Sequence, residues 1–284
     1  MTVPQHVTAT VALIVIGAGG LHASWNAIIK YIDDGLVAFG LMGVVMTVGG
    51  GLGLLVTGLP YAAAIPFVLG SVVIHVAYQL GLMQSYRIGA FNQTYPIARG
   101  TSPLVVAVGG YFLADEHLGP GPWAGVSLLA VGLMSLAFSA GRLSRADLPA
   151  VGAAVLTGLT IAGYTLVDGL GVRRAHDPYA YTCLLFLLQG PVFPVLVLVR
   201  RPLAVWRELP TVAKGTVAGL LSVVAYGAVL WAQTKAPLAE VAALRETSVI
   251  TAAVLGAVFL KEQFGSRRLA AAVMVAGGIA LIAF

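Results

Sequence analysis

The chain has 284 residues, of which 16 are Lys or Arg and 11 are Asp or Glu, so charge occupies only 10% of it, where a soluble domain carries roughly 25%. With 59% hydrophobic residues and 35 glycines, and a mean hydropathy of +0.94, an ordinary water-soluble globule is excluded. The net charge of +5 is explained by juxtamembrane Lys and Arg facing anionic lipid and needs no nucleic acid partner. The lone Cys183 excludes an internal disulfide and a multi-cysteine metal site.

A helix needs about 20 apolar residues to cross a bilayer. Gly, Pro and charged punctuation divides the chain into apolar runs at 8–30, 35–57, 62–85, 89–113 and 121–140, then 147–168, 178–200, 211–233, 237–260 and 267–284. These runs are too long for barrel strands and lack their alternation, so the expected fold is an all-α integral membrane protein with ten transmembrane helices. The opening MTVPQHV has no Lys or Arg, so the first span is expected to stay in place rather than be cleaved as a signal peptide.

Polar residues inside these spans are the candidates for function. Span 1 carries His22, Trp25 and Asn26 at spacings of three and four, which share one helical face. Span 2 is rich in glycine, from Gly49 to Gly53, which permits close packing or sliding of neighbours. Span 3 places His75, Tyr78 and Gln79 on one face, and span 4 reads Tyr95, Pro96, Arg99, Thr101, Ser102, with Pro96 removing a backbone hydrogen bond. Span 6 offers Tyr164 and, a turn later, Asp168; span 8 offers Tyr226 and Trp231; span 9 holds Arg245, Glu246, Thr247 and Ser248. A charge in a helix centre costs a few kcal/mol on insertion scales, so Arg99, Arg245 and Glu246 are expected to face protein or a wet cavity. The arginines serve either as a carboxylate-binding pair or as structural ion-pair partners.

Short cytoplasmic loops collect Lys and Arg. The loops after odd-numbered spans hold eleven of them and the opposite side three, which places both termini outside the cytoplasm. The chain also repeats itself: ARGTSPLVVAVGGYFLADEHLG from Ala98 aligns without a gap on LRETSVITAAVLGAVFLKEQFG from Leu244, pairing Arg99 with Arg245, Thr101 with Thr247, Ser102 with Ser248, Glu116 with Glu262 and Gly119 with Gly265. Repeats of five spans, over 1–140 and 147–284, enter the membrane from opposite sides. Such inverted halves are a signature of secondary transporters, with the substrate site where the halves meet. Glu116 and Glu262, at helix ends, are expected to cap the next helix or fix its loop.

The paired segments NQTYPIARGTSP and EVAALRETSV and the helix ends FLADEHLG and FLKEQFG resemble the EamA family of the drug/metabolite transporter superfamily. Within it the chain looks most like YddG-type bacterial exporters of aromatic amino acids. The resemblance implies ten helices in two inverted five-helix repeats in the bacterial inner membrane, and a cavity lined mainly by spans 1, 3, 4, 6, 8 and 9. It further implies export of a small metabolite by a monomer or homodimer, without a cofactor. Many relatives keep their termini in the cytoplasm, opposite to the charge count.

His22, Trp25, Asn26, His75, Tyr78, Gln79, Tyr95, Arg99, Tyr164, Tyr226, Trp231, Arg245 and Glu246 suit a zwitterionic amino acid: aromatic walls for the side chain and opposite charges for its two ends. Phosphonates, sugars and cationic metabolites are alternative cargoes. A membrane-embedded enzyme is the alternative class, but no HExxH, GxSxG or GxxxxGK[ST] motif occurs.

Overall fold

The computed structural model describes residues 6–88, 91–139, 147–251 and 266–283. In chain order these form α1 (Ala9–Ile29), α2 (Gly35–Thr57), α3 (Ile65–Ile88), α4 (Phe91–Ala114), α5 (Pro120–Ser139) and α6 (Leu148–Arg174). There follow α7 (Pro178–Gln189), α8 (Val192–Arg200), α9 (Leu209–Gln233), α10 (Leu238–Arg245), α11, described over 247–251, and α12 (Ser266–Ala283). No strand occurs among the described residues. Among the described residues eight stretches are long and apolar enough to cross a membrane, with α7 and α8 together making one of them, Pro178–Arg200. Outward-facing Leu55, Val56, Phe112, Val199 and Leu209 are exposed, a surface suited to lipid tails.

Three expected boundaries change. The sixth span runs on to Arg174, so Arg173 and Arg174 belong to its last turn and not to a loop. The seventh breaks at Gly190 and Pro191, where proline lacks the N–H that would continue the ladder. The run expected at 237–260 is interrupted by a turn at Glu246, and residues 252–265 lie outside the described set.

Helix starts are set by side chains that accept from otherwise unpaired N–H groups. Thr8 accepts from Val11 N at 3.4 Å, Asp34 from Leu36 N at 2.9 Å and Val37 N at 3.4 Å, and Asp177 from Tyr179 N at 2.8 Å. Asp34 also pairs with Arg201 at the end of α8. Partial desolvation pushes its carboxyl up, but Arg201 and the two N–H groups outweigh this and hold it below its ordinary value.

In the bundle α1 packs on α9, α3 on α6, α4 on α5 and α6, α2 on α7, α8 and α9, and α5 on α12. Small residues permit the closest crossings. A Cβ on Gly50 would stand 2.5 Å from Cys183 O on α7. Where α5 crosses α12, one on Gly125 would stand 2.7 Å from Gly278 O and one on Gly278 2.6 Å from Gly125 O. The Gly49–Gly53 run thus includes a site of tight packing. Because successive spans cross in opposite senses, the start of α1, the α6–α7 turn and the α9–α10 turn share one face, the first. The α1–α2 turn and the segment after α8 share the second.

Candidate substrate cavity

A cavity of about 730 Å³, open space at its mouth included, is lined by α1, α2, α3, α6, α7, α9 and the end of α10. Eight of the thirteen candidates line it: His22, Trp25, His75, Tyr78, Gln79, Tyr164, Tyr226 and Arg245. Their rings form two groups, His75, Tyr78, Tyr164 and Tyr226 in one and His22 with Trp25 in the other. His75 stacks on Tyr164 at 4.0 Å and meets Tyr226 edge-on at 5.4 Å, Tyr78 meets Tyr164 at 5.5 Å, and His22 meets Trp25 at 4.9 Å. Spans 2 and 7 add Phe39, Met42, Met46, Phe186 and Gln189, whereas the resemblance implied lining from span 4. Phe39, Met42 and Met46, at helical spacings of three and four, were a legible stripe, but only the packing of α2 on α7 turns it toward the cavity.

Arg245 brings charge to this wall. Its guanidinium lies over the Tyr164 ring at 5.8 Å and within 3.5 Å of the Tyr164 hydroxyl. Behind it, Glu246 touches Arg99 Nε at 2.7 Å and Arg245 Nε at 4.0 Å, and Arg99 donates to Ser248 Oγ at 2.6 Å. Arg99 also sits over Tyr95 at 5.6 Å. All three charged residues are buried. Two guanidinium groups share one carboxylate, so the group carries one net positive charge, and Arg99 takes the closer share. Arg99, Glu246 and Tyr95 therefore stand behind the cavity wall.

Two other expectations are corrected. Asn26 donates back to His22 O at 2.8 Å and does not line the cavity. Trp231 packs against the main apolar core; five residues from Tyr226, it points about 140° away on a helix turning 100° per residue.

Sequence reading noted Asp168 but missed its setting. Asp168 is fully buried and accepts from the Tyr181 hydroxyl at 2.8 Å at Oδ1 and from the Tyr226 hydroxyl at Oδ2. Tyr181 lies on α7, thirteen residues away, and no sequence spacing links the two.

The first face is closed. Arg173 contacts Glu116 at 2.7 Å and donates to Gln233 O at 2.8 Å and Ala236 O at 2.9 Å. Glu116 accepts from Leu238 N, the first N–H of α10, at 2.8 Å, so it fixes the α9–α10 turn rather than capping the helix next in sequence. Glu262 lies outside the described residues. Nearby, buried Glu240 accepts from Val7 N at 2.7 Å. The lining residues lie around mid-span, from Ala18 to Trp25 on α1, His75 to Gln79 on α3 and Ser222 to Val229 on α9.

Residues 148–284 match the EamA-like transporter family. A solved crystal structure, 18% identical, superposes with a TM-score of 0.71 over 97% of this chain and 99% of its own; at that identity the likeness shows the fold. No curated protein matches. With eight candidate spans among the described residues and a second half similar to the EamA-like transporter family, the chain is a multi-pass membrane protein.

Proposed function

We propose that the chain is a secondary transporter of the bacterial inner membrane that exports amino acids, aromatic or large neutral ones, by alternating access. One observation carries this reading. Among the buried polar atoms on the cavity-lining residues, Trp25 Nε1, Arg245 Nε and Gln79 Oε1 have no protein hydrogen-bond partner. Such groups are costly unless something pairs with them. An indole N–H and a guanidinium match a substrate carboxylate, a carboxamide oxygen matches an ammonium, and the ring wall matches a large side chain. The net positive charge beside the wall disfavours a cation, and the ring wall favours an aromatic cargo over a phosphonate or sugar.

Two inverted five-helix repeats, 1–140 and 147–284, supply the machinery. Packing supports them: span 1 lies on span 8 as span 6 lies on span 3, which is one contact viewed from each half. By the charge count the second face is cytoplasmic and both termini are not. A single chain holds the whole cavity, so a monomer suffices and a homodimer would add no lining residue.

Purified protein in liposomes tests the reading through counterflow of labelled phenylalanine, with a phosphonate, a sugar and an organic cation as comparisons. Phenylalanine counterflow is expected, with Arg245→Gln lowering it about 10-fold or more, in line with the roughly 1.5–3 kcal/mol worth of a charged hydrogen bond. Counterflow of another class alone would refute the substrate assignment.

A further inference from the structure

We propose that Asp168 is a proton-binding site that couples export to the proton gradient, an inference that rests on the transport reading above. A buried carboxylate in a membrane bundle needs a cation, a proton or strong donors. Among the described residues Asp168 has no Lys or Arg ion-pair partner; a phenol donates to each of its oxygens, and Ser71 adds a further side-chain hydrogen bond.

The basic groups around it are committed elsewhere or uncharged donors. From α3, Ser71 and His75 face it, with His75 Nδ1 3.0 Å from both Ser71 Oγ and Ser71 O. From α7 comes Tyr181 and from α9 Tyr226. Arg245, at the end of α10, stands over Tyr164 and shares Glu246. Arg99 of α4 is taken by Glu246 and Ser248, and Arg173, on the same helix as Asp168, by Glu116 and two carbonyls.

The cavity's own geometry selects a proton over a substrate ammonium. Asp168 is fully buried and is not a lining residue, whereas Tyr226 and His75 are. A proton can pass through a hydroxyl that a substrate cannot pass. A hydronium ion in the cavity gives a proton to Tyr226 Oη as the phenol proton moves to Asp168 Oδ2; the carboxylate becomes a carboxylic acid and the hydronium becomes water. The two phenols differ in their access to the cavity. Tyr226 borders the open cavity, while Tyr181 is fully buried three residues from the start of α7, in the apolar cluster beneath the closed first face. Asp168 is thereby placed to exchange protons with the cavity through Tyr226, while Tyr181 gains access only once the contacts that close the first face part.

Proteoliposomes with an acidic interior separate this proposal from the transport reading. Phenylalanine accumulation driven by the pH gradient is expected in the wild type and is expected to fall at least tenfold in Asp168→Asn, while counterflow, which needs no net proton movement, stays within about twofold. If Asp168→Asn does not fold, Tyr181→Phe, which keeps the ring and removes only the hydroxyl, is expected to lower gradient-driven accumulation severalfold with counterflow retained. Gradient-driven accumulation at the wild-type level in the folded variant overturns the proposal, as does wild-type counterflow that no pH gradient can drive. Absence of counterflow altogether instead refutes the transport reading.

Discussion

Glu246 sits between two arginines that the chain places 146 residues apart, and its contacts are unequal: 2.7 Å to Arg99 and 4.0 Å to Arg245. That inequality divides the labour. Arg99 fastens α4 to the α10–α11 turn, while Arg245 keeps charge available to the cavity. Removing one partner of a buried ion pair costs about 3–5 kcal/mol, because the other charge is left without compensation. Glu246→Gln, which leaves both buried guanidinium groups uncompensated, is therefore expected to lower thermal stability in detergent more than Arg99→Gln, which leaves Glu246 with Arg245. Equal melting temperatures for the two variants would remove Glu246 from its bridging role. These residues were legible in the sequence because charge inside a span must be accounted for. Trp231 and Asn26 were misplaced because helical spacing says which residues share a face, not which face meets the cavity.

At the scale of helices, the crossing of α2 on α7 positions the part of the wall that sequence reading assigned least. Gly49 and Gly50 are neighbours with opposite surroundings: a Cβ on Gly49 meets nothing within 4 Å, whereas one on Gly50 meets Cys183 O at 2.5 Å and Leu187 N at 2.6 Å. Backbone cannot yield as a side chain can, and overpacking costs typically 1–3 kcal/mol. Gly50→Val is expected to cost at least that much in a melting experiment and to weaken transport by moving Met42 and Met46, while Gly49→Ala is expected to be neutral. A neutral Gly50→Val would contradict the close crossing. The spans themselves were readable from apolar length, since a bilayer demands about 20 residues. The breaks at Gly190–Pro191 and Glu246 were less so: Pro191 was in plain view, but the turn at Glu246 follows from pairing across the bundle with Arg99.

For the whole molecule, the closed first face is the barrier that the proposed alternating-access cycle has to open. Arg173 and Glu116 hold that closure through contacts with the α9–α10 turn, and all of these must part for the first face to open. Residue pairing by duplication was visible in sequence, because an intramembrane arginine, a Thr-Ser pair and a terminal Glu do not align by composition alone. Which groups bridge the closed face was not, since Glu116 and Leu238 N are brought together only by folding. The claim beneath all of this is that the two halves lie upside down relative to each other. Sided labelling of single cysteines at His117 and Gln263, each in a Cys183→Ser background in sealed vesicles, tests it most directly. Inverted halves require an impermeant thiol reagent to reach the two positions from opposite sides of the membrane. Labelling of both from the same side would contradict the inverted arrangement and the transport cycle built on it.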